Sequence, residues 1–381
     1  MRTIKHIQHI LVAMVAICTT LFSSCSVHEW PTIDPERPYP FVLHLDYSTE
    51  LPLYKVIEHT ASRAAAAASY DVRYTVEAYA AEPMYGYSAN QLVKRQVYTF
   101  DDVETLNRDL TFELALGHYN IFVWTDYVEA GKEEHLFYNT DLFRGIIYNG
   151  PHEGCNDFRD AFVGSLEAEI TELTTDLNIS NERPLAKFNL VTTDFDRFVQ
   201  HILELEAERA EAEAEAEKNK EQDEPQQEAG IDRMFFPTLV MGDNIIAVGN
   251  PSRVVDLNDY RVVVKYMSNM PNEFHVMRNE PIDAAPAGTV SFECDLRILN
   301  DTEAELGFDY VMVSKNQMMV RIAVEVYDYR NEKISTSKVI DVPLVRSHLT
   351  TIRANFLTAK STGGVGIDPS FEGPDHIHYI D

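Results

Sequence analysis

Along most of the chain, apolar and polar residues alternate with a period of two. In YDVRYTVEAY (70–79), Val72, Tyr74, Val76 and Ala78 alternate with Asp71, Arg73, Thr75 and Glu77. DLTFELAL (109–116) and MVRIAVEVY (319–327) repeat the pattern, each predicting a half-buried strand of an antiparallel sheet. HYNIFVWTDY (118–127) is apolar on both faces and predicts a central strand. Such runs recur from Tyr39 onward, separated by turn clusters such as YNGPHEG (148–154). Many short strands with regular turn clusters predict β-sandwiches, and the length allows two of them. Val72-Arg73-x-x-Val76-Glu77-x-Tyr79 echoes Val320-Arg321-x-x-Val324-Glu325-x-Tyr327, as two related domains would.

One segment breaks the alternation. After a candidate cap at Thr193 or Asp194, Phe195, Phe198, Val199, Ile202 and Leu203 follow at helical spacing. The stripe then dissolves into an Ala/Glu-rich run. Residues 204–228 hold 11 acids and 3 bases, a net of −8. Like charges at Glu211/Glu215 and Glu213/Glu217 oppose the helix, which is expected to fray into a solvated loop.

The first residues have the layout of a secretory leader. Arg2 and Lys5 precede the apolar run 7–22, which is shorter than a membrane span, and the small pair Ser23-Ser24 comes just before Cys25. Phe22-Ser23-Ser24-Cys25 looks like a lipobox, whose Cys is acylated and becomes the first mature residue; acyl chains would then hold the protein on a membrane. A Pro-rich stretch, WPTIDPERPYP (30–40), suits a tether. Of the other cysteines, Cys18 leaves with the leader. An oxidising compartment permits a Cys155–Cys294 disulfide, although Cys294, among Val290, Phe292, Leu296 and Ile298, reads more readily as a small buried hydrophobe. The formal charge of −29 repels phosphate backbones and argues against nucleic-acid partners.

No motif points to catalysis. HExxH, GxSxG, P-loop and CxxC patterns are absent from the sequence, so no enzyme activity and no cofactor are expected. GGVG (363–366) opens no predicted helix. His376 and His378 lack a third metal ligand, and Asp256, Asn258 and Asp259 lack calcium-loop spacing, so no metal site is assigned.

Several stretches, in order, resemble the fimbrillin-like lipoproteins of Bacteroidales, which include fimbrial pilins, anchors and tips. They are STELPLYK (48–55), RDAFVGS (159–165), ERPLAKFNLVTTD (182–194), YMSNMPNEFHV (266–276) and VPLVRSHLTTIRANFLT (342–358), together with the lipobox. The resemblance implies two tandem transthyretin-like antiparallel β-sandwiches, over 39–181 and 182–358, the second carrying a helix and acidic insertion at 194–230. A leader at 1–24, a tether at 25–38 and a tail at 359–381 complete the expected layout. It also implies assembly by strand exchange: a protease cuts beyond the first strand, that strand leaves, and a neighbour's tail fills the groove.

Three segments match that scheme. FVLHLDY (41–47) would be the displaced strand, with Phe41, Leu43 and Leu45 in the groove. Arg63 in EHTASRAAAAASY (58–70) would be the cut site, or the stretch is a tolerant Ala-rich linker. The tail would donate Ile377 and Tyr379, or it is a frayed terminus. The expected protein is a non-catalytic lipoprotein of the outer membrane, at the cell surface, whose partners are other fimbrial subunits. The alternative is a surface lipoprotein that never polymerises and binds a host glycan or protein, through aromatics such as Tyr85, Tyr87, Trp124 and Tyr127.

Overall fold

A computed structural model describes residues 36–49, 70–221, 259–314 and 317–358, and the backbone of short strands at 241–242, 245–247, 254–256 and 377–380. The first half is a seven-stranded sheet in the order β3-β2-β5-β8-β9-β1-β4. Its strands are β1 (Tyr39–Tyr47), β2 (Tyr70–Ala80), β3 (Leu92–Phe100), β4 (Arg108–Leu114), β5 (Gly117–Glu129), β8 (Phe162–Ile170) and β9 (Asp176–Glu182). The sheet folds over on itself, so that alternate side chains of β1, β4 and β9 meet those of β2, β5 and β8 in one core. Between β5 and β8 lie two short strands, β6 (Tyr138–Asn139) and β7 (Ile146–Tyr148), and a 3-10 turn at Asp157–Arg159.

The second half starts with β10 (Leu185–Thr192) and α1 (Phe195–Glu221). Three short strands, β11 (Met241–Gly242), β12 (Ile245–Ala247) and β13 (Val254–Asp256), pair with one another. Then come β14 (Arg261–Tyr266), β15 (Met270–His275), β16 (Glu280–Ala285), β17 (Ser291–Asp295), β18 (Arg297–Ile298) and β19 (Ala304–Met312). The last are β20 (Met318–Tyr327), β21 (Lys333–Thr336), β22 (Ile340–Leu344), β23 (Leu349–Ala354) and β24 (Ile377–Ile380). One sheet runs β18-β19-β10-β23-β24 and the other β17-β14-β20-β21, with β22 also on β20; together they enclose a second core. A four-stranded sheet, β16-β15-β7-β6, joins strands of both halves.

The two halves repeat one plan. β1 is antiparallel to β4 and parallel to β9; β10 is antiparallel to β19 and parallel to β23. β5 lies between β2 and β8 as β20 lies between β14 and β22. The β-sandwich reading therefore holds, with a parallel pair in each half that the wholly antiparallel expectation missed. The echo between residues 72–79 and 320–327 is corrected: it matches β2 with β20, whereas β2 holds the place of β14. Alternating strands coincide in sequence without being topological equivalents.

The apolar stripe of α1 behaves as its spacing predicts, burying Phe195, Phe198, Val199 and Ile202 in the second core. The capping detail differs. The Asp194 carbonyl accepts from the Phe198 N–H (3.0 Å), so the helix does begin there. Its carboxylate turns away, accepting from the Thr358 N–H (2.7 Å) and hydroxyl (2.6 Å) and tying the segment after β23 to the helix start. The helix also continues through the acidic run to Glu221 instead of fraying. Ion pairs support it there: Arg209 bonds Glu206 within the helix and Asp328 and Glu332 beyond β20, and Arg330 reaches Glu213.

Candidate functional site

β1 is an interior strand. Its register with β4 pairs Phe41 with Phe112, Leu43 with Leu110 and Leu45 with Arg108, and its other edge runs along β9 from Val42–Asp176 to Tyr47–Asn181. Phe41, Leu43 and Leu45 are 3%, 0% and 1% exposed and form one buried row. Phe41 meets Phe112 edge to face, with ring centroids 6.0 Å apart. The trough that receives the row is lined by Leu110, Phe112, Leu114 and Ile179. Burying three such side chains contributes on the order of 5–9 kcal/mol.

Beyond the main-chain ladders to β4 and β9, this strand is held by further polar ties. Val42 N–H donates to the Thr175 carbonyl (3.0 Å), Tyr47 and Thr125 share a hydroxyl bond (2.7 Å), and Asn181 donates to the Asp46 carbonyl (3.3 Å). On the open face, His44 Nδ1 contacts Asp109 (2.7 Å), which holds the imidazole above its ordinary range. A shallow polar depression of about 570 Å³ lies here, lined by His44, Asp46, Asn107, Arg108, Asp109 and Asn178 among others. Cys25 and Arg63 lie outside the described residues. The backbone carrying Ile377 and Tyr379 forms β24, which pairs in parallel with β23 (Thr351 with Ile377, Arg353 with Tyr379) and not with any strand beside β1.

Sequence reasoning missed the junction between the halves. The segment 130–161 covers the outer face of β2 and β5, so Arg73, Thr75 and Glu77, expected at a solvated face, are buried. Arg73 and Asp126 form a two-bond ion pair (2.9 and 2.7 Å) within it. Trp124, 0% exposed, packs there against Tyr138 and Phe274, a residue of the second half. That removes Trp124 from any binding surface. Cys155 and Cys294 are joined, correcting the reading of Cys294 as only a buried hydrophobe. The bond links the loop after β7 to β17, and its sequence separation of 139 constrains the unfolded chain by about 5 kcal/mol in the chain-entropy picture. Gly307 on β19, at φ +143°, lies against it: a Cβ there would sit 2.6 Å from Cys294 Sγ and 3.0 Å from Cys155 Sγ.

Three buried carboxylates at this junction differ in their chemistry. Asp309 contacts Arg159, His152 (2.6 Å) and the Tyr266 hydroxyl (2.6 Å). Burial alone pushes Asp309 up, but the Arg159 guanidinium and the bonds from His152 and Tyr266 outweigh it and hold the carboxyl below its ordinary value. Asp160, paired with Arg183 at 2.6 Å, and Asp126 are raised, because burial there exceeds the help of one arginine. Lys187 reaches Asp157 (2.7 Å), closing the same loop onto β10. These groups are mutually paired, which suits a structural joint.

A surface cluster gives a pH prediction. Burial would raise Glu325, but Lys265, the Tyr327 hydroxyl and Lys333 bond its carboxylate and bring it down from 4.5 to about 2. A depressed carboxyl stabilises fully above its unfolded value and loses that contribution as pH falls through the folded one. Urea unfolding should therefore show Glu325→Gln less stable than wild type at neutral pH, with the gap closing between pH about 4.5 and about 2. A gap independent of pH over that window contradicts this assignment. Among the described residues, no group of three or more His, Cys, Asp or Glu side chains is placed to hold a metal ion.

Comparison with known proteins places these features. The model of a family of unknown function, DUF6562, matches residues 41–380. No curated protein matches the chain. Similar solved structures include a candidate adhesin of Bacteroides ovatus, at 9% identity and TM-score 0.39, covering 81% of this chain and 84% of that one. The fimbrial anchor protein Mfa2 of Porphyromonas gingivalis aligns at 9% identity and TM-score 0.33, over 78% and 82% of the two chains. A fimbrial assembly protein of Parabacteroides distasonis aligns at 7% identity and TM-score 0.35, over 83% and 91%. All three come from the Bacteroidales, the group whose lipoproteins the sequence resembles.

Proposed function

The chain belongs to DUF6562, a family of unknown function, and for this member we propose a non-catalytic surface subunit of fimbrial type that joins its neighbours by strand exchange at β1. The observation that carries the proposal is the position of β1: an interior strand that is also the first strand among the described residues. An interior strand leaves two open edges and an apolar trough when it departs. A first strand can depart after a single cut, since the connections among all later strands stay whole. Arg63, between β1 and β2 in sequence, is the proposed cut, and the tail with Ile377 and Tyr379 is the proposed donor. The backbone of that tail pairs in parallel with β23, the counterpart of β9, and β1 pairs with β9 in the same sense. A donor entering parallel to β9 would therefore run in the direction of β1, putting alternate side chains into the trough.

The Cys155–Cys294 bond supports export to an oxidising compartment, in keeping with a leader at 1–24 and a lipid anchor on Cys25 in the outer membrane. The proposal is tested by cutting purified protein after Arg63 and incubating it at high concentration. SDS-resistant ladders or filaments are expected from cut protein only; monomers from both samples would leave the non-polymerising surface protein as the better account.

A further inference from the structure

We infer that Lys94 and Tyr98 guard the open edge of β4, closing it to strand addition. β4 is the last strand of the first-half sheet, with β1 on one side only. An edge of this kind displays unpaired main-chain groups that invite another strand. Here the outward carbonyls of Thr111 and Glu113 are occupied. The Tyr98 hydroxyl donates to the Thr111 carbonyl (2.6 Å), and Lys94 Nζ donates to the Glu113 carbonyl (3.2 Å) and contacts its carboxylate (3.1 Å). Lys94 also lies over the Phe112 ring, 5.0 Å from its centroid.

The placement follows from the strands' register. β3 is the opposite end of the same sheet, and it pairs with β2 so that Tyr98 is level with Tyr74 and Lys94 with Ala78. Tyr74 and Ala78 point into the first core. Tyr98 and Lys94 thus leave β3 on the core side and cross to β4 where the folded sheet would otherwise gape. Thr111 sends its carbonyl away from β1, so its N–H points the same way in an antiparallel ladder. A neighbouring strand would have to displace both side chains to reach these groups. That closes the edge of β4 to an incoming strand; the sheet's other terminal strand, β3, is not guarded in this way. The guard itself is a property of the intact chain and does not depend on exchange taking place.

The test compares self-association of uncut protein by analytical ultracentrifugation. Lys94→Met with Tyr98→Phe removes the polar tips and keeps the stems. The double variant is expected to associate at least about tenfold more tightly than wild type, and adding Thr111→Pro, which deletes the outward N–H, should return it to the wild-type level. A folded double variant that associates no more than wild type overturns the inference, as does association that survives Thr111→Pro. If the double variant loses cooperative melting, Tyr98→Phe alone, a change of one oxygen, carries the same comparison with the same two outcomes.

Discussion

Replacing Asp309 by alanine is expected to cost about 3–5 kcal/mol, because it strands a guanidinium in the protein interior. Asp309 is 1% exposed and Arg159 2%. Without the carboxylate, Arg159 keeps the Glu153 carbonyl, His152 and the Tyr148 ring but no counter-charge, and Tyr266 loses its acceptor. Urea unfolding at neutral pH, with the disulfide intact, measures the loss. Combining Arg159→Met with Asp309→Leu should recover most of it, since a buried ion pair is often worth little more than well-packed apolar groups. A cost below about 1 kcal/mol for Asp309→Ala would mean that water reaches the joint, and the rigid junction described above would be wrong.

The second large effect is expected in β1. Leu43, fully buried between Leu110 and Leu177, cannot be replaced by aspartate without placing a carboxylate in the core. Leu43→Asp should destabilise the first sandwich by more than about 4 kcal/mol, whereas a change of outward-facing Val42 to threonine should stay within about 0.5 kcal/mol. In protein cut after Arg63, the fragment carrying the Leu43→Asp change should leave faster than the wild-type fragment. Equal effects at positions 42 and 43 would contradict the assigned faces of the strand.

These contrasts show what was readable in sequence. Alternation located β2, β4 and β20, because a period of two is a local property fixed by the pleat; β5 was legible as a run apolar on both faces, and β1 with Phe41, Leu43 and Leu45 through the family resemblance. The second layer over β2 was hidden. Arg73 and Glu77 look solvated until the chain at 130–161 folds across them and buries their pairs with the cross-strand neighbours Asp126 and Arg95. The Cys155–Cys294 bond could be named as permitted but not chosen, and the Arg159–Asp309 pair was hidden, since sequence separations of 139 and 150 leave no local trace. Lys94 and Tyr98 carried no signal either; their role comes from the sheet closing on itself. The helix outlasted its expected end because Arg209 and Arg330 offset its like charges from one side.

The central claim is that β1 is a replaceable strand, and the fate of its fragment after the cut tests that most directly. Protein cut after Arg63 and allowed to assemble should be weighed by native mass spectrometry. The account predicts particles in which every subunit but the terminal one lacks the fragment ending at Arg63, each slot being filled by a neighbour's tail. Particles that retain one fragment per subunit, or monomers with the fragment still bound, would contradict it.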